Sequence, residues 1–338
     1  MAECTPSSSS PKRTKSFFVE VQGVLEPWNS NVSDVLFAIM YRPYPGDVFV
    51  TSYPCAGDVW LSMLLYALTH DGTPPADYAQ LSGDVLFLEK LGRKVEAVAP
   101  PRRLRTHLPA KKLRLSRAAK YVYVVRNYRD CCLSLYDHMT SRASDYRFKD
   151  ATFEEYFECF LKGQVEDNDY FDHLASWWEH EGSQNFFFVL LENLKRNFDK
   201  VLVQLGEFLG GAAERLVHDA QRLKELRALC TYDCAAAEEG SAKGGSAKVE
   251  HRQPPAEYLR DGSCYLNCLR CRRHWKAKLN DEQAERLDKR FQERTAGTPI
   301  EHIFTTLPAD DSTRQHPKRQ LSAVGRIASF RDIHSIST

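Results

Sequence analysis

The segment Tyr53-Pro54-Cys55-Ala56-Gly57-Asp58-Val59-Trp60 combines residue types and spacing that can do chemistry. Residues 47–52 ahead of it read as a short buried strand, and residues 59–68 behind it are apolar nearly all round, as in a core helix. A strand that turns through Gly57 into a helix leaves backbone N–H groups unpaired and aims the positive end of a helix dipole at the turn. Such a turn attracts anions, phosphate first among them. Phosphate-binding loops normally also carry a lysine, and this one has none. A thiol at a helix N-terminus can have a lowered pKa, which makes Cys55 a candidate for redox sensitivity. A second grouping, Cys264, Cys268, Cys271 and His274, has ligand types suited to zinc or an iron–sulfur cluster. That spacing is common by accident, and no metal is expected.

The elements that must position the loop show as alternating patterns. Residues 120–125 form a second apolar run followed by a helix over 129–139, and 186–191 form a third. Between them, 153–161 and 170–178 carry apolar residues at helical spacing. This alternation predicts an α/β fold, a single domain with a central parallel sheet flanked by helices. With 338 residues, 43% of them hydrophobic, the chain can bury one large core. We expect that domain over 17–306, with a flexible loop at about 235–263 that includes the Gly/Ser/Ala/Lys repeat of 240–248. A Ser/Pro-rich disordered segment, 1–16, and a basic tail, 307–338, flank it. The tail's Lys318-Arg319-Gln320-Leu321-Ser322 has basic spacing that many kinases read.

A formal net charge of +1 gives no global pull toward nucleic acid or anionic membrane. No run approaches the roughly 18 apolar residues of a membrane span, and Met1-Ala2-Glu3-Cys4 opens no apolar signal core. The expectation is a cytoplasmic protein whose ten cysteines are reduced thiols.

Four motifs occur in order: Tyr53-Pro54-x-x-Gly57-x-x-Trp60; Arg105-Thr106-His107-Leu108-Pro109; Val125-Arg126-Asn127-Tyr128-Arg129-Asp130 with Ser134; and Phe171-Asp172-His173 leading to Trp177-Trp178-Glu179-His180. Together, over residues 17–306, they resemble the cytosolic sulfotransferase family. The resemblance implies a sulfotransferase fold with a P-loop-like strand-loop-helix. It also implies transfer of a sulfuryl group from PAPS (3'-phosphoadenosine 5'-phosphosulfate) to a hydroxyl or amine of a small acceptor. By the same resemblance His107 is the base, a role suited to a side chain that titrates near neutrality. Arg126 and Ser134 hold the 3'-phosphate. Trp60 and Tyr232, the latter within Cys230-Thr231-Tyr232, flank the adenine. Cys55, Ala56, Gly57, Asp58 and Val59 wrap the donor phosphate, and Arg105 reaches toward the sulfate or 5'-phosphate.

The chain departs from the family pattern at the loop. Cys55-Ala56-Gly57-Asp58-Val59 stands where the family carries Lys-Ser-Gly-Thr-Thr, so one cation and three hydroxyls are replaced. Removing one donor aimed at developing charge typically costs a factor of about 10²–10³ in rate. Asp58 either repels the donor phosphate or turns away to cap the following helix, as Asp130 is expected to do for the next one. In the family's Arg-Lys-Gly-x-x-Gly-Asp-Trp-Lys segment, Trp275 and Lys276 match, and Arg270 is the nearest substitute for the leading cations. Leu191 replaces a nucleotide-contacting tyrosine, whereas Glu192 remains. The family's dimer motif keeps only its ends, Lys276 and Glu285, and implies a monomer or weak homodimer. The acceptor pocket is expected from parts of 17–26, 72–90 and 235–263. The reading that follows is a PAPS-dependent sulfotransferase, with a noncatalytic relative binding a nucleotide, small ligand or protein partner as the alternative. A third reading, a metal-dependent enzyme using the cysteine cluster, is separable by metal analysis.

Overall fold

The apolar runs of the sequence lie side by side in one sheet. The computed structural model describes residues 17–148, 151–230, 275 and 278–304. The expected segments 1–16, 235–263 and 307–338, and the Cys264–His274 cluster, lie outside the described residues. A hairpin of β1 (Phe18–Val21) and β2 (Val24–Pro27) precedes the main strands, which are β3 (Val48–Ser52), β4 (Val85–Phe87), β5 (Arg103–Thr106), β6 (Lys120–Val125) and β7 (Phe186–Leu190). Their order is β4-β5-β3-β6-β7, and every pair is parallel.

Parallel strands covered on both faces need apolar residues on both, and β6 shows how they divide. Tyr121, Tyr123 and Val125 join one core with Trp177, Phe186 and Phe188. Val122 and Val124 join the other, with Val50, Leu64 and Leu202. Helices 153–161 and 170–178 form over the residues the periodicity predicts. The helix Asp58–Thr69 is buried at every position but the last, as an all-round apolar sequence requires. Cys131 and Cys132 are fully buried, so they pack as small hydrophobes. β4 and β5 were not legible in the sequence; they are three and four residues long, and β5 carries Arg103 and Arg105. The 186–191 run stops as a strand at Leu190, and Leu191 begins a helix.

One expectation about caps is corrected. The helix Tyr128–Ser141 is capped by Asn127, whose side chain accepts from the Arg129 N–H at 3.0 Å. Asp130 sits three positions inside that cap, and burial pushes its carboxyl up to about 6.

Register brings the site together. Thr51 pairs with Thr106 and Ser52 with Val124, so β5, β3 and β6 end at one level, and the chain leaves them through His107, residues 53–57 and Arg126. Ligands of open α/β sheets bind at this carboxyl edge.

Gly57 makes the turn possible. Its φ is +110°, and a Cβ there would lie 2.8 Å from Leu191 Cδ1. Gly57→Ala is expected to destabilise the fold by about 2 kcal/mol or more through backbone strain and overpacking. Denaturant melts check this, and a midpoint equal to wild type would contradict it.

Candidate active site

The loop after β3 is buried throughout, from Tyr53 to Trp60. Cys55 adopts φ +62° and Gly57 follows in the left-handed region, which folds the chain into a tight cradle. Arg126, only 1% exposed, reaches across from the end of β6 and donates from Nη1 to the Cys55 carbonyl at 2.7 Å. Its own carbonyl accepts from the Tyr170 hydroxyl at 2.6 Å, so loop, strand end and the 170–178 helix are tied together. Ser134 is buried on the helix behind. Trp60 is 2% exposed, its ring stacked on Phe198 at 6.2 Å.

Asp58 does not cap its helix. The N-cap is Gly57, without a side-chain hydrogen bond, and the Asp58 carboxylate turns the other way. Its Oδ2 lies 3.1 Å from Arg105 Nη1 and 3.3 Å from His107 Nε2. Burial opposes ionisation there, but the charges of His107 and Arg105 outweigh it and hold the carboxyl well below the usual range. Arg105 also lies over the Phe87 ring, 4.3 Å from its centroid.

His107 is held from every side. Glu89 Oε1 accepts from the Thr106 hydroxyl at 2.6 Å, the His107 N–H at 2.7 Å and the Leu108 N–H at 3.1 Å, which fixes the turn after β5. The His107 carbonyl faces His173 Nε2 at 2.8 Å, and a carbonyl can only accept, so Nε2 of His173 carries the proton. His173 Nδ1 then accepts from the Tyr123 hydroxyl at 3.0 Å. Burial agrees with a neutral ring, lowering His173 to about 3. On the His107 ring, Nδ1 lies 3.9 Å from Asp167 Oδ2.

A cavity of about 410 Å³ opens against this group, lined by Cys55, Asp58, Val59, Arg105 and His107 together with Glu26, Glu89 and Glu166. A family model described as a sulfotransferase domain matches residues 45–299. The chain belongs to the sulfotransferase family. Its sequence is 28% identical to mouse sulfotransferase 1B1 over 282 residues, covering 77% of this chain and 86% of that one. It is also 28% identical to a rabbit amine sulfotransferase over 265 residues, covering 76% and 83%. The structure of mouse sulfotransferase SULT7A1 complexed with PAP superimposes with a TM-score of 0.62 at 19% identity, over 85% of this chain and 98% of that one. The single α/β sheet expected from the sequence is this family's fold.

Within the sulfotransferase frame, Cys55, Asp58, Val59, Arg105 and His107 share the cavity, while Ala56 and Gly57 form the cradle behind it. Arg126, Ser134 and Trp60 are buried outside the cavity lining. Thr231, Tyr232 and Arg270 lie outside the described residues. Of the expected acceptor segments, 17–26 contributes Glu26 and 72–90 contributes Tyr78, Phe87, Glu89 and Lys90.

Sequence reasoning missed Glu26, Glu89, Glu166 and Asp167, which no motif spacing connects. The fold joins them through the hairpin. Asn168 accepts from the Leu25 N–H at 2.8 Å and donates to the Gly23 carbonyl at 2.9 Å, and the Asp167 N–H donates to the Leu25 carbonyl at 2.8 Å. Glu26 takes an inward position of β2, beside Asp167. Burial, then Glu89 and Glu166, push the Glu26 carboxyl from its ordinary 4.5 up to about 9. Burial, then Glu26, Glu166 and Glu89, raise Asp167 well above its usual range.

A carboxyl raised on folding binds its proton in the native state and releases it on unfolding, so stability falls as pH climbs between the two values. For Glu26 that window runs from 4.5 to about 9. Glu26→Gln is expected to shrink the loss of melting temperature between about pH 5 and about pH 9. Thermal melts across that range check it; an undiminished loss would mean Glu26 is ionised in the fold.

Proposed function

We propose that this chain is a PAPS-dependent sulfotransferase that acts on a hydroxyl of a small acceptor seated in the cavity, with His107 as base. The observation that carries this reading is the Asp58–His107 contact at the cavity wall. A carboxylate on Nε2 accepts that nitrogen's proton and orients the ring at the cavity wall. The same division of labour orients histidine in acyl-transfer triads. Asp58 is then a positioning residue, and its replacement of a hydroxyl residue has a use. His107 accepts the acceptor's proton, and the buried Glu89 contacts keep its backbone in place.

PAPS, when bound, supplies the sulfuryl group. The cradle suits its phosphate, since the left-handed Gly57 turns the loop tightly into a helix N-terminus. The backbone of 55–58 would hold the 5' side, with Arg105 turned toward it. Arg126 and Ser134 would serve the 3'-phosphate directly or by shaping the loop, and Trp60, Tyr232, Thr231 and Arg270 the nucleotide's remaining contacts. Support comes from relatives that are sulfotransferases and from a neighbouring structure that holds PAP.

Calorimetry with PAP and turnover with PAPS over a phenol panel test this. Wild type is expected to bind PAP, and His107→Ala to lower turnover by about 10²–10⁴. Cys55→Lys should raise turnover by about 10² or more by restoring a cation at the loop. Asp58→Asn should split the two readouts, binding PAP more tightly while lowering turnover by at least about 10-fold. No PAP binding by wild type or Cys55→Lys would overturn the reading. PAP binding with no turnover in either would favour the noncatalytic alternative.

A further inference from the structure

Of the Lys and Arg residues crowded into 102–120, only Arg105 lines the cavity beside His107. Others stand at the opposite end of the strands. Val48 pairs with both Arg103 and Lys120, so β3, β5 and β6 also begin at one level, and the Gly46 N–H donates to the Ala118 carbonyl at 2.8 Å just ahead of it. A second cavity, of about 590 Å³, opens at this edge against Phe37, Met40, Arg42, Tyr44, Glu96 and Arg114. Met40, at the end of the helix Val32–Met40, and Tyr44 are the two most exposed large apolar side chains among the described residues, at 57% and 48%. Tyr44 is nevertheless held in place. Its N–H donates to Asp47 Oδ2 at 2.9 Å, and the Arg102 guanidinium lies over its ring, 4.9 Å from the centroid. Arg102 is in turn fixed by the Val98 carbonyl at 2.6 Å and the Tyr41 hydroxyl at 3.0 Å. A ligand that packs on this ring therefore has little to immobilise.

Charge at the edge is one-sided. Glu96 is the one acid among the described residues lining this cavity, and it pairs with Arg93 at 3.3 Å. Arg42 and Arg114 are exposed, and neither side chain has a hydrogen-bond or ion-pair partner among the described residues. Exposed Met, Tyr and Arg around a preset hollow is the composition found at the centre of protein interfaces. We propose that this edge docks a partner protein through an acidic segment, with an apolar side chain of the partner between Met40 and Tyr44 and its carboxylates on Arg42 and Arg114. Charge complementarity selects that occupant. The chain's own segments 1–16 and 307–338 each carry more Lys and Arg than Asp and Glu, so they do not complement the arginines. A second copy meeting the patch face to face would set arginines against arginines. An anionic bilayer matches the charge but is too flat to fill the hollow. Docking here leaves the cavity beside His107 open, because the two lie at opposite ends of the same strands.

The test pans a random dodecapeptide display library on the immobilised full chain and measures the recovered peptides by fluorescence polarisation. Four proteins are compared: wild type, Arg42→Glu with Arg114→Glu, Met40→Ser, and a control with Lys224→Glu and Lys289→Glu. All five altered side chains are exposed, so the fold does not depend on them. Recovered peptides are expected to place Asp or Glu around an apolar residue. Their affinity should fall by at least about tenfold in the arginine variant, by about threefold or more in Met40→Ser, and not in the lysine control. Recovery of no peptide, of neutral or basic peptides, or of peptides that bind the arginine variant as tightly as wild type would overturn the inference. So would pelleting with vesicles of phosphatidylcholine and phosphatidylserine, or self-association of the chain, if the arginine variant abolished either. No arm of the test uses PAPS or turnover.

Discussion

The site depends on three parallel strands ending at one level. Pairing Thr51 with Thr106 and Ser52 with Val124 sends three chain segments out of the sheet at the same edge. Parallel register shifts in two-residue steps if the buried faces are to stay buried, because a single-residue slip exchanges the faces. In β6 such a slip would swap tyrosines for valines across two differently shaped cores. Packing far from the chemistry thus sets the distances within it. Arg126 to the Cys55 carbonyl and Asp58 to His107 follow from strand register before any side chain adjusts.

Given that register, one buried carboxylate organises the rest. Asp58 enters the structure at a helix N-terminus, where negative charge is welcome, and extends to Arg105 and His107 at the β5 end. The arrangement couples loop to base: anything that moves the cradle moves the group that sets the His107 tautomer. Arg126 holds the other end of the same loop, so a shift at Arg126 is felt at His107 through the backbone from Cys55 to Asp58.

Much of this was legible in the sequence where a pattern repeats. Residues 48–52, 120–125 and 186–190 announce themselves as strands because both faces are apolar, and 170–178 as a helix because its stripe is. Motif order identified the family and brought His107, Arg105 and the loop onto one page. Of the two roles expected for Asp58, capping fails because it depends on one residue's offset, and Gly57 already holds the N-cap position. The buried acids were invisible for a different reason. Glu26, Glu89 and Asp167 are separated by 63 and 78 positions and meet only because a short hairpin is pinned by Asn168. A sequence records no signal for a contact made through backbone hydrogen bonds.

Two of the loop's departures from the family pattern, Cys55 and Asp58, change charge and are best understood together. Cys55 in place of a lysine removes a positive charge, and Asp58 in place of a threonine adds a negative one, a change of two units at the loop proposed to hold the donor phosphate. Breaking a buried, hydrogen-bonded ion pair by taking away one partner typically costs about 3–5 kcal/mol. A donor phosphate that drew Arg105 away from Asp58 would incur a cost of that order, which corresponds to roughly 10²–10³-fold or more in affinity. A donor that leaves the pair intact avoids the cost but must rely on backbone N–H groups and on cations elsewhere. The geometry favours the second course. Arg105 and Asp58 are both buried, with side chains 10% and 7% exposed, so releasing Arg105 would leave the carboxylate poorly solvated with only His107 beside it. Keeping Arg105 on Asp58 shares the buried charge between two partners on one carboxylate oxygen and keeps the loop tied to the end of β5.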